Sequence, residues 1–148
     1  MSVDSLLAAG YQALLGMAAT LGFAVWFNVP RDQLLRTVVV GTLGFLVRWA
    51  LLEDGRSPAT ASFWAAFFIG TAAYATARFS LQPRVTYTIP SVIPLVPGIP
   101  AYESLVRFFH RDISGGLDYA VRATLVIGAL AGGLTAARAI TMKRARFE

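Results

Sequence analysis

The sequence predicts an all-α fold: a polytopic integral membrane helix bundle forming a single transmembrane domain over residues 1–148. Three observations predict it. The chain is 56% hydrophobic and only 14% charged, with a mean hydropathy of +0.60, where soluble domains carry about 25% charged residues. Its apolar residues gather into runs near the ~20 residues needed to cross a bilayer core. One of those runs is interrupted by Pro90, Pro94, Pro97, Gly98 and Pro100. Each proline removes a backbone donor and collides with the carbonyl four residues earlier, so that run is predicted to be a broken helix.

Five spans are expected, the fourth broken. The first covers about residues 5–27, with Asp4 placed as its N-cap; no basic residue precedes it and it outruns a signal peptide's apolar region, so it is expected to be retained. The second covers about 34–52, after Asn28-Val29-Pro30-Arg31-Asp32. The third, about 59–79, is entered by Ser57-Pro58, an N-cap followed by proline at the first helical position. The fourth, about 85–109, is the interrupted one. The fifth covers about 117–140, after a turn at Ser114-Gly115-Gly116. Connectors are short, and there is no internal repeat.

The charges set an orientation. The net charge is +5 and the pI about 10.2, but the basic residues lie between apolar runs and on the tail, so they mark the cytoplasmic side rather than a nucleic-acid surface. If the fourth segment crosses, Arg31, Arg36, Arg78, Arg84, Arg138 and the tail Lys143-Arg144-Ala145-Arg146 share one side. Arg48, Arg56, Arg107, Arg111 and Arg122 then share the other. If it stays in an external loop, the balance tips the wrong way. The positive-inside rule thus prefers five spans in the cell (inner or plasma) membrane, with the C-terminus cytoplasmic. The chain has no cysteine, which excludes disulfides and thiol chemistry. Small-residue stripes, Gly128 with Gly132, Gly133 with Ala137 and Ala66 with Gly70, let helices approach closely, either inside the bundle or at a subunit interface.

The interrupted segment is where binding chemistry is expected. Irregular backbone at membrane depth occurs only where protein buries it or it lines a cavity, and a broken span is the best sequence pointer to a transporter's site. Pro100-Ala101-Tyr102-Glu103 reads as the start of a half-helix whose N-terminus suits a carboxylate. The carbonyls before Pro94 and Pro97 lose helical donors and are open to an ammonium or hydroxyl. The alternative is a proline-rich external loop without a ligand. Ser91, Pro94, Pro97, Gly98, Ala101, Tyr102, Glu103 and Arg48 are therefore the candidate substrate-binding residues. Glu103 is either a proton-coupling or ammonium-binding acid or a charge placed against the helix dipole, worth about 0.3–1 kcal/mol. Arg48 either pairs with Glu103 or an anionic substrate, or snorkels to the interface. Thr88, like Ser91, is a cavity candidate by position, while Tyr102 and Tyr87 either hydrogen-bond a ligand or anchor as aromatics at the membrane interface. His110 stands alone, so neither a metal site nor a cofactor is expected. No nucleophile elbow, P-loop or dinucleotide fingerprint is present, and an enzyme is not expected.

The stretch Val92-Ile93-Pro94-Leu95-Val96-Pro97-Gly98-Ile99-Pro100-Ala101-Tyr102 resembles the threonine/serine exporter family. So do Gly22-Phe23-Ala24-Val25-Trp26-Phe27-Asn28-Val29-Pro30 and the glycine-rich second span ending in Arg48. More narrowly, the chain is similar to the small membrane-only subunit of that family's split, two-polypeptide form. The resemblance covers about residues 22–109 and is most specific in the Ile-Pro-x-x-Pro-Gly-x-x-Ala-Tyr element. It implies export of threonine and serine, or of small dicarboxylates such as succinate, driven by the proton gradient. It also implies a partner, either the complementary subunit carrying the soluble region and the other membrane half or a second copy of this chain. A membrane scaffold that stabilises a partner, without transporting, is the competing expectation.

Overall fold

Helices form wherever apolar residues run without a breaker, and proline, glycine and short polar residues decide where each stops. The protein, seen in a computed structural model, is described over residues 3–145, with side chains described over 5–142. Helix α1 is Val3–Trp26, α2 Arg31–Glu53, α3 Pro58–Ser80, α4 Val85–Val92, α5 Gly98–Phe109 and α6 Ile113–Ala145. A single 3-10 turn, Ile93–Leu95, follows α4.

The local rules account for most boundaries. Ser57 Oγ accepts from the Thr60 amide at 3.2 Å with Pro58 at the first position, so α3 begins as the sequence predicts. Four connectors turn through left-handed residues, Asn28 (φ 55°), Gly55 (φ 77°), Leu81 (φ 54°) and Arg111 (φ 62°). Two expectations are corrected. Because α1 begins at Val3, Asp4 lies within its first turn rather than capping it. Ser114-Gly115-Gly116 is not a turn but the start of α6. The Asp112 carboxylate accepts from the Gly115 amide at 3.0 Å and from Ser114 Oγ at 3.2 Å. That cap satisfies one of the free N–H groups of the first turn and carries the helix through the glycines.

The interruption is also narrower than the proline spacing suggests. α4 continues through Pro90, and the 3-10 turn takes Pro94 in its first positions. The chain leaves helical geometry at Val96-Pro97, and the two halves meet at 47°.

Chain directions follow from residue pairs. A side chain at Gly16 would meet Phe45 and one at Gly41 would meet Thr20, so α1 and α2 are antiparallel. Gly44 against Ile69 and Arg48 against Ser62 make α2 and α3 antiparallel. Ala66 against Gly133 and Gly70 against Ala137 advance together, so α3 and α6 are parallel. Their connection must therefore return the length of the bundle, and α4 and α5 do so in series. Below, the lower end is where α2 and α4 begin; the upper end is where α3 and α6 begin.

α3 is the central helix, packed most heavily on α6 and also on α2 and α4. The core gathers Val40, Ala65, Ala66, Ile69, Leu95, Val126 and Leu130. Leu95, at the end of the 3-10 turn, is 1% exposed, so the chain reaches the break from the core, and Val96 at the break is 49% exposed.

Among the described residues, α1, α2 and α6 are long and apolar enough to cross a membrane, and α4 with α5 make a fourth candidate as one bent pair. α3 has 23 residues but falls short of that apolarity. As the central helix it is rich in alanine, threonine, serine and glycine, which pack closely, and its threonines, serines and glycine with Trp64, Tyr74 and Arg78 hold its hydropathy down. At about 1.5 Å per residue, the 33 residues of α6 exceed the ~30 Å hydrocarbon core, and its first turns carry α5.

Candidate functional site

α4 enters the bundle with its polar side chains turned inward. Tyr87 is fully buried, and its hydroxyl donates to Gln33 Oε1 at 2.6 Å while also hydrogen-bonding Ser80 Oγ. Gln33 Nε2 donates to Asp32, and Arg36 adds a 3.3 Å bond to Gln33 Oε1. One turn further on, Ser91 Oγ donates to the Thr37 carbonyl at 3.4 Å. These bonds join α2, α3 and α4 below the break. Buried polar groups are costly unless satisfied, so a closed network of this kind fixes how α4 sits.

The candidate residues divide between two sides of the chain. Ser91 and Pro97 are buried and Pro94 is half-buried, all facing the bundle. Gly98, Ala101 and Tyr102 are exposed, because α5 swings out at the break and leans on α6. Ile99, Tyr102, Leu105 and Phe109 form an outward apolar face on α5. Glu103 is half-buried and, among the described residues, has no hydrogen bond or ion pair. Arg48 Nε donates to Ser62 Oγ at 3.0 Å, so it braces α2 against α3 instead of reaching Glu103.

The backbone at the break is largely self-satisfied. The carbonyls before Pro94 and Pro97 already accept from Val96 (3.0 Å) and Gly98 (2.8 Å). At the start of α5, Gly98 and Ala101 donate within the chain and Pro100 has no N–H, which leaves Ile99 as the amide open to an anion.

A second locus was read in the sequence as orientation, apart from Thr88. α4 and α6 stand apart across the face of α3, leaving a cleft of about 570 Å³ in the lower half of the bundle. Gly70 of α3 contributes to its lining; a side chain there would collide with Ala137. Val85, Thr88 and Ile89 line it from α4. Leu134, Arg138 and Met142 line it from α6, with Pro83 and Arg84 at the connector. The Arg84 guanidinium donates to the Gly70 carbonyl at 3.2 Å and lies 5.1 Å from the centre of the Tyr74 ring. Gly70 is near the middle of α3, so a cation from the connector reaches well inside the bundle. The spacing from Arg84, the residue before α4, to Thr88 in its first turn was the available signal.

A family model described as Threonine/Serine exporter, ThrE matches residues 12–140. The chain belongs to the threonine/serine exporter family. The match takes in all of α2 to α5 and most of α1 and α6, so both loci lie within it. No solved structure matches the chain. Membership makes this a multi-pass membrane protein of a transporter family, with a small-molecule substrate and a lipid surround, and not an enzyme. His110 sits exposed at the upper end, its Nδ1 2.8 Å from the Val106 carbonyl on its own helix.

Proposed function

We propose that the chain is a membrane subunit of a secondary exporter of threonine and serine, or of small dicarboxylates of the succinate type, driven by the proton gradient. One observation carries the reading: a helical segment broken at Val96-Pro97 as it leaves the core returns the chain between two parallel helices. That geometry supports a fourth, broken crossing and, with α3 counted, five crossings in all. The N-terminus is then outside and the tail cytoplasmic, in the inner or plasma membrane. Substrate passes the break, where Ser91, Pro94 and Pro97 face inward, and Glu103 is the candidate coupling acid.

A chain with an odd number of crossings makes one half of an inverted pair. The partner is the complementary subunit with the soluble region, as in the split form, or a second copy. α1 supports this, since Leu7, Tyr11, Leu14 and Val25 are each at least 60% exposed. A non-transporting scaffold is the second reading. It is favoured by Gly128, which faces outward from α6 with nothing within 4 Å of the position a side chain would take.

The test is efflux from cells lacking the chain, loaded with threonine, serine or succinate, with and without the partner gene, as the proton gradient is collapsed. Gly98→Leu is the informative variant, because the same geometry gives open space around Gly98 and the fold is expected to accept it. Export is expected to need the chain and the gradient, and to be lost in Gly98→Leu with membrane insertion intact. Unchanged efflux of all three solutes in cells lacking the chain would leave the scaffold reading in its place.

A further inference from the structure

The cleft between α4 and α6 carries a charge that, among the described residues lining it, no acid answers. Arg84 is half-buried, its guanidinium drawn up to the Gly70 carbonyl, and Arg138 faces the same space closely enough to act on it electrostatically. Among the described residues no aspartate or glutamate lines the cleft. Cations at membrane depth are rare, pair with something, and mark substrate pathways. Here the Gly70 carbonyl and the Tyr74 ring give Arg84 dipolar support but no counter-charge. Arginine's fork of donors suits a carboxylate held by two parallel bonds. The remaining walls are apolar apart from Thr88, whose hydroxyl donates to the Arg84 carbonyl at 3.0 Å and keeps its lone pairs for a second donor. The volume of about 570 Å³ falls within the ~300–1,000 Å³ of small-molecule sites.

We propose that the Arg84–Arg138 cleft is a binding site for small carboxylates, filled from the lower end and taking a dicarboxylate in preference to a zwitterionic amino acid. Two guanidinium groups match two negative charges, whereas an ammonium group would meet like charge and find only the Thr88 hydroxyl. The inference rests on the exporter reading for its role in transport and stands apart from it as a binding site.

The experiment is equilibrium binding of radiolabelled succinate and L-threonine to the purified full chain in phosphatidylcholine nanodiscs, without a gradient. Saturable succinate binding is expected, tighter than threonine binding and weakened by salt. Arg138→Gln should weaken it by about tenfold, the scale of a hydrogen bond to a charged group. Arg138→Lys should restore much of it, and Arg122→Gln, on the far part of α6, should change nothing. Arg138 is exposed and, among the described residues, makes no side-chain hydrogen bond or ion pair, so its variants are expected to fold; a thermal melt checks this.

Several results would overturn the proposal: no succinate binding by folded wild type, equal binding by Arg138→Gln, or threonine bound as tightly as succinate. So would an Arg138-dependent stabilisation by phosphatidylglycerol nanodiscs that succinate does not reproduce, which would make the pair a lipid-phosphate anchor. The two readings fail separately. Arginine-dependent binding without cellular efflux removes the exporter and keeps the site, whereas efflux with arginine-independent binding does the opposite.

Discussion

Alanine at Gly133 and alanine at Gly128 are chemically the same change on the same helix, yet they should move stability in opposite directions. At Gly133 a new Cβ would overlap the Phe63 carbonyl oxygen and lie 3.0 Å from both the Ala66 Cβ and the Phe67 amide nitrogen. Two of those three atoms are backbone of α3, so no rotamer change relieves the clash, and α6 must move away from the helix it packs on most. Overpacking of this kind costs about 1–3 kcal/mol. At Gly128 nothing lies within 4 Å of the new atom, and the change keeps only the gain in helix propensity, up to about 1 kcal/mol. The two variants should therefore differ by about 2–4 kcal/mol. Reversible unfolding of each in the same detergent, with a thermal melt beside it, measures the difference. The refuting result is a Gly128→Ala variant that loses as much stability as Gly133→Ala, since α6 would then pack through its Gly128 face.

Two further outcomes follow from the polar contacts. Tyr87→Phe removes the bond to Gln33 and the one to Ser80, and should cost about 1–3 kcal/mol in the same unfolding assay; an unchanged protein would mean the network does not hold α4. At the upper corner, the Gly115 amide bond, then Arg107 and Ser114, hold the Asp112 carboxyl below its ordinary range. A depressed native pKa stabilises fully above the unfolded value of about 3.9. That contribution is lost as pH falls from there through the lowered native value. The protection factors of the amides at the start of α6, taken against their intrinsic exchange rates, should accordingly fall in that acid window, and Asp112→Asn should flatten the dependence; identical pH profiles for the two proteins would remove Asp112 as the titrating cap.

Local chemistry made much of the fold legible. Ser57-Pro58 starts α3 because a cap needs only its own turn, and the prolines mark the break because each acts on its own backbone. Where local reasoning went astray, a neighbouring residue overruled it: Asp112 caps the helix through Gly115 and Gly116, and Pro90 is carried within α4. The candidate site was legible only in part. Ser91 and Pro97 turn inward, but Arg48 braces Ser62, and the bend at Val96-Pro97 carries Ala101 and Tyr102 outward.

By itself the sequence determined the helical membrane class, the place of the break and the family, because hydropathy, proline geometry and short motifs are properties of contiguous residues. Tertiary structure alone decided that Gly133 rather than Gly128 is the seam of α6. It also decided that Arg84, which the sequence marks only as a basic residue beside a span, reaches Gly70 to share a cleft with Arg138. Helix rotation and the meeting of residues fourteen or more positions apart depend on how whole faces pack, and no local pattern encodes that.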